Sequence, residues 1–319
     1  MTRASLIALG VAMFSAVVLA ADTPMANRVA TSMEGGYRII RSNGIPDHQT
    51  GQFPSRRNPN AIAPKDYTWR IPLKPRMAAA PIPTGFAWYG VAINGVPMEP
   101  GTQEFWNDDR TSNWHYEAIG GTSDLGIDMS LAHVQPNGAY HYHGLPKGLV
   151  ERLGGDAGKM LLVGWAADGY PIYTANGYTD PKDAKSPVKK MKSSYRLKSG
   201  NRTNGLIGPY DGRFTEDFEY VKGLGDLDEC NGRFGVTPEF PAGTYHYYCT
   251  EMFPFISRNW RGEPDPSFQK QGPPPGTRER KPRREDMGGG QGPGSTARPT
   301  PPPRPTQPAR PTPPSRRPQ

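Results

Sequence analysis

Between Pro136 and Pro146 the chain reads PNGAYHYHGLP, a turn sequence followed by alternating tyrosine and histidine. Alternation with period two is the signature of a β-strand, in which successive side chains point to opposite faces. The stretch therefore predicts a strand with Tyr140 and Tyr142 on one face and His141 and His143 on the other. At ~3.3 Å of rise per residue, the two imidazoles stand about 6.6 Å apart. Two neutral imidazoles on one face can bind a metal ion or share a proton. The plainer alternative is a half-buried strand whose histidines sit in a hydrogen-bonded polar cluster. Most of the stretch returns as PAGTYHYYC at 241–249, with Tyr248 in place of a second histidine.

The segment before the first motif, Leu131-Ala-His-Val-Gln135, runs straight into Pro136-Asn-Gly138, which is a hairpin signature. A three-residue loop at 136–138 sets His133 opposite His141, on the histidine face. A two-residue loop sets it opposite Tyr142, on the other face. Both registers remain open from the sequence. The candidate metal ligands are His141, His143 and His246, with His133 or Cys249 as a fourth. Imidazole with an optional thiolate suits copper or zinc. The near-repeat leads to the expectation that the two motifs pair side by side and bring His246 to the other two. Tyr140, Tyr142, Tyr245 and Tyr247 would then orient the imidazoles from behind.

The rest of the chain frames this centre. Arg3, the apolar run Leu6–Val18 and Val18-Leu19-Ala20 read as a secretory signal over residues 1–20. A secreted or periplasmic protein is expected, with no transmembrane span. The two cysteines, Cys230 and Cys249, would by default form a disulfide in such a compartment. The competing role for Cys249 is that of a thiolate ligand. Residues 21–85 are rich in Pro, Asn, Arg and Ser and read as an extended or partly disordered lead-in, with His48 in solvent. From 86 to 262, short aromatic and β-branched runs alternate with Gly, Pro and Asn. That pattern predicts a mainly β domain, an antiparallel sandwich or distorted barrel with few short helices. Residues 263–319 form a Pro/Arg-rich tail with almost no apolar side chains, expected to be disordered. Eleven Lys and Arg against three acids from Lys270 to Gln319 account for the whole formal charge of +8. The folded part is close to neutral, so a nucleic-acid groove is not expected. The tail's charge fits an anionic envelope polymer or a membrane surface.

Several motifs in order resemble the bacterial YHYH-domain proteins. They are the two Tyr-His-Tyr stretches, Val91-Ala-Ile-Asn-Gly-Val-Pro97, Leu131–Gly138, Asp168-Gly-Tyr-Pro-Ile-Tyr173, Leu227-Asp-Glu-Cys-Asn-Gly232 and Phe253-Pro-Phe255. The resemblance covers roughly 86–262 and implies an extracytoplasmic domain. It implies no reaction. A fainter likeness links Gly243–Met252 to the copper loop of cupredoxins, but no histidine follows Cys249. Six histidines are too few for a multicopper cluster. Two other functions compete with metal binding. One is an envelope domain gripping glycan or protein through its aromatic faces. The other is a metal-free hydrolase with a histidine base paired to Asp128, Asp226 or Asp228. No Gly-x-Ser-x-Gly elbow supports the latter.

Overall fold

A computed structural model describes residues 25–120, 125–203 and 206–270. The secretory signal expected over 1–20 and the tail beyond residue 270 lie outside the described residues.

The chain opens with an antiparallel three-stranded sheet of β1 (Val29–Glu34), β2 (Tyr37–Ser42) and β3 (Tyr67–Pro72). Gly35 and Gly36 both take positive φ and close the β1–β2 hairpin in two residues, the turn whose twist matches paired strands. Ile39, Ile40, Trp69 and Ile71 are buried, and three of them join the main core. Strands at 29–42 and 67–83 correct the reading of 21–85 as an extended or partly disordered lead-in. His48 is corrected too: its Nε2 lies 2.6 Å from the Tyr142 hydroxyl. The polar composition hides these strands because β2 buries two adjacent isoleucines rather than alternating ones.

Next come β4 (Met77–Pro83), β5 (Gly90–Ala92), β6 (Pro97–Met98), β7 (Ala132–Val134) and β8 (Tyr140–Tyr142). The single α-helix among the described residues, α1 (Lys147–Arg152), precedes β9 (Leu162–Ala166) and β10 (Pro171–Tyr173). Two two-stranded antiparallel sheets follow, β11 (Asn176–Tyr178) with β12 (Val188–Lys190), and β13 (Tyr195–Leu197) with β14 (Phe218–Tyr220). The chain then forms β15 (Gly232–Gly235), β16 (Thr244–Tyr248) and β17 (Asn259–Gly262), the last of which pairs with β4. The domain is mostly β and sandwich-like, as expected, and no barrel closes among the described residues.

Eight strands make the central sheet, in the order β15-β16-β10-β9-β5-β6-β8-β7. The order has the same construction read from either end. β5 and β9 meet antiparallel in the middle, with Val91 opposite Trp165. Outward on each side come a tight hairpin partner (β6 or β10), a strand parallel to it (β8 or β16), and an antiparallel edge strand (β7 or β15). The sequence carries the same symmetry. GVAINGVPM at 90–98 and GWAADGYPI at 164–172 share Gly, Ala, Gly and Pro at equivalent places. In both turns the glycine takes positive φ, 82° at Gly95 and 98° at Gly169, where a side chain would be strained. In both, an alanine N–H closes the turn at 2.9 Å, from Ala92 to the Val96 carbonyl and from Ala166 to the Tyr170 carbonyl. Parallel pairing of β8 and β16 with the hairpins sets this sheet apart from a purely antiparallel one.

The core lies along this sheet and under β2, β3 and β17, with Tyr89, Met98, Tyr247 and Trp260 buried. Phe268, beyond the expected domain end, is fully buried and stacks on Trp69 at 4.9 Å. The packed part therefore extends past 262. No helix among the described residues is long and apolar enough to cross a membrane.

Candidate metal centre

The β7–β8 hairpin takes the register of the three-residue loop: Ala132 opposes Tyr142, His133 opposes His141 and Val134 opposes Tyr140. Gly138 makes this possible with a φ of 86°, the left-handed residue such loops need. One residue past the strand, His143 N–H still donates to the Leu131 carbonyl at 2.7 Å, so the alternation carries through. The result is a triad of rings. Centroids are 4.6 Å apart for His133 and His141, 4.9 Å for His133 and His143, and 4.7 Å for His141 and His143. One ligand nitrogen from each ring lies within 4.8 Å of the other two.

Backbone carbonyls fix the tautomers. His133 Nδ1–H donates to the Leu125 carbonyl at 3.0 Å and His141 Nδ1–H to the Ala139 carbonyl at 3.1 Å. A carbonyl only accepts, so Nδ1 holds the proton in both neutral rings and Nε2 keeps its lone pair. His141 Nε2 lies 3.0 Å from His143 Nε2. Two nitrogens on one tetrahedral zinc, each bonded at ~2.0–2.1 Å, stand roughly 3.3 Å apart, so the pair is already near that spacing. His143 Nδ1 is buried with no protein partner. A buried polar atom left unpaired by the protein marks a place for water or an ion. His141 and His143 are buried and His133 half-buried. Burial pushes the His141 and His143 pKa values well below the ordinary value, with neighbouring imidazoles adding to the fall, and it lowers His133 as well. All three rings are therefore neutral at pH 7, the form that coordinates a metal.

The tyrosine face anchors the hairpin. Tyr140 donates to Asp128 Oδ2 at 2.8 Å, and Asp128 Oδ1 accepts the Ser130 N–H at 2.8 Å. The Tyr142 hydroxyl meets Asn94 Nδ2 at 3.0 Å as well as His48. On the histidine face, Trp88 stands edge-on to His141 at 5.6 Å. Glu99, one residue after β6, is buried with Oε2 3.5 Å from His141 Nε2.

His246 and Cys249 do not join this cluster. Strands β10, β9, β5 and β6 stand between β16 and β8. Five strand spacings of ~4.8 Å put the two motifs on the order of 24 Å apart along the sheet. The expectation that they pair is thus overturned: each motif pairs in parallel with its own hairpin instead. His246 keeps the local geometry of His141, with Nδ1–H on the Thr244 carbonyl at 3.1 Å, but its Nε2 meets the Tyr248 hydroxyl at 2.8 Å. The expected disulfide is also absent. Cys230 and Cys249 are free and buried. Burial raises both thiol pKa values, that of Cys249 to about 12, so neither is a thiolate at neutral pH. Both cysteines belong to the apolar core, and they flank β15 and β16 at the opposite end of the sheet from β7 and β8. Asp228 holds the Tyr245 hydroxyl and Asp226 pairs with Lys189. With Asp128 on Tyr140, none of the three acids proposed as a base partner bonds to a histidine.

The sequence reading did not single out Glu99, Asn94 or Arg233. The repeat of 90–98 at 164–172 was the signal that would have found Asn94, because it aligns Asn94 with Asp168. The sequence model of a family described as "YHYH protein" matches residues 68–262. No curated protein and no solved structure matches the chain.

Proposed function

The chain belongs to the YHYH protein family, and from that premise we propose that it is an exported metal-binding protein holding copper or zinc on His133, His141 and His143. The observation that carries this reading is the convergence of three neutral imidazoles on one hairpin, two of them with their Nε2 lone pairs freed by carbonyls on Nδ1. Imidazole donors suit both metals, and no thiolate stands near to favour one. The apolar signal-like start of the chain supports an extracytoplasmic location. The basic tail supports contact with an anionic envelope surface.

Bound there, the metal would supply Lewis-acid or redox chemistry. The chain's own residues do the holding: Leu125 and Ala139 carbonyls orient two rings, and Trp88 covers His141. A hydrolase without metal has less support, because its acids are engaged elsewhere. Equilibrium titration with zinc and copper tests the reading. Untagged protein is expected to bind one equivalent at micromolar concentration or below, and H141Q/H143Q to lose it while keeping its circular dichroism. No binding of either metal by the wild type would sink the proposal in favour of glycan or protein recognition.

A further inference from the structure

Three imidazoles leave a tetrahedral ion one ligand short. We propose that Glu99 supplies the fourth through Oε2, making a three-histidine, one-carboxylate site that takes a divalent cation, zinc above copper(I). This rests on the metal reading above and specifies its donor set.

The two oxygens of Glu99 face different ways. Oε2 lies 3.5 Å from His141 Nε2 and accepts Gln135 Nε2 at 2.8 Å. Oε1 pairs with the Lys270 ammonium. Gln135 belongs to the same hairpin as the triad, since its N–H donates to the Ala139 carbonyl at 3.0 Å. The hairpin therefore aims its own imidazoles and the carboxylate together. The Glu99 backbone is held as well, its N–H on the Tyr142 carbonyl at 2.8 Å. Ligating carboxylates are commonly fixed by such outer hydrogen bonds. Lys270 in turn packs over Trp88, its Nζ 4.3 Å from the ring centroid, and Trp88 abuts His141.

Lys270 neutralises Glu99 through Oε1, which leaves Oε2 turned toward His141 as a charged oxygen that a cation at the triad can take up. The opposite half of the sheet is the internal control. There Glu99 is replaced by Tyr173, whose hydroxyl is turned to Thr237 and Glu239. His133 is replaced by Arg233, which opposes His246 in register and brings a fixed positive charge. In the first half the carboxylate turns Oε2 to His141 while Lys270 takes Oε1; in the second, position 173 offers a tyrosine hydroxyl and position 233 a guanidinium. An oxygen donor among three imidazoles favours Zn(II) and other borderline divalent ions over the softer Cu(I).

The test is a pair of competition titrations on untagged full-length protein and E99Q, one with zinc and one with copper(I) against colorimetric chelators. Zinc affinity is expected to fall on the order of 100-fold in E99Q, while copper(I) affinity changes less than about threefold for want of a ligand it prefers. Unchanged zinc affinity in E99Q would overturn the Glu99 assignment and leave the triad standing. Failure of the wild type to bind zinc or copper would remove the triad reading itself. Should E99Q misfold, a crystal structure of the zinc-loaded wild type decides. A Zn–Oε2 bond of about 2.0–2.2 Å supports the assignment. A water in the fourth position, with Glu99 left on Lys270 and Gln135 alone, overturns it.

Discussion

The β5-β6-β8-β7 half of the sheet and the β9-β10-β16-β15 half share their framework down to single hydrogen bonds. Asp128 holds Tyr140 and the Ser130 N–H, and Asp228 holds Tyr245 and the Cys230 N–H. Leu131 and Asn231 both take positive φ, at 55° and 51°, in the turn that follows. Asn94 meets Tyr142 at the first hairpin turn, and Asp168 meets Tyr247 at the second. The halves part company on the other face of the same strands. His133, His143 and Glu99 in the first become Arg233, Tyr248 and Tyr173 in the second. What both halves keep, the carboxylate–tyrosine bonds and the turns, serves the fold. What one half alone has, three imidazoles beside a carboxylate, is the proposed metal site.

The sharpest way to break that division is to make the same substitution in each half. H141Q should weaken metal binding on the order of 1000-fold, because it removes a ligand. H246Q should leave affinity within about twofold, because it lies on the framework's unliganded side. Equal losses in the two variants, read by chelator competition, would erase the distinction. A gain-of-function variant asks the converse. R233H/Y248H rebuilds three imidazoles on the second hairpin and should add a second zinc equivalent. That equivalent should bind about 10- to 100-fold more weakly than the first, because Tyr173 supplies no carboxylate. Stoichiometry that stays at one would mean the two halves differ in more than these side chains.

The shared framework makes smaller, symmetrical predictions. D128N and D228N should each lower unfolding free energy by about 1–3 kcal/mol, since each breaks a buried network of tyrosine and backbone donors. Urea denaturation of the two variants checks whether the losses match. A weaker effect concerns pH. Burial lowers the His246 pKa to about 4, against an unfolded value near the ordinary ~6.5. Between those values the unfolded chain binds the extra proton, so stability must fall as pH drops from 6.5 and the loss is complete below about 4. H246Q should flatten this slope by about 1.4 kcal/mol per pH unit in metal-free protein. An unchanged slope in denaturation at stepped pH would place the proton uptake elsewhere.

Local chemistry was legible in the sequence, and long-range pairing was not. Pro136-Asn-Gly138 with the alternating rings beyond it specifies the hairpin, and His133 falls on the histidine face once Gly138 takes left-handed φ. Fold class followed from short runs broken by turn residues. The likeness of the two motifs suggested that they pair. Their likeness instead reflects a two-fold sheet in which each pairs with its own hairpin, a relation set by β5 and β9 meeting in the middle. Residues 29–72 escaped because their strands mix exposed polar side chains with adjacent buried isoleucines, leaving no clean period. Glu99 gave no sign of its role, because a lone glutamate after a turn has the look of a solvated side chain until the fold buries it against His141.

The most direct test of the account is elemental analysis of the untagged protein beside a variant with His133, His141 and His143 all changed to Gln, each equilibrated with limiting zinc and copper and then gel-filtered. One bound equivalent in the wild type and none in the folded variant is the result the account predicts. Metal-free wild type, or a variant that keeps the same equivalent, would contradict it.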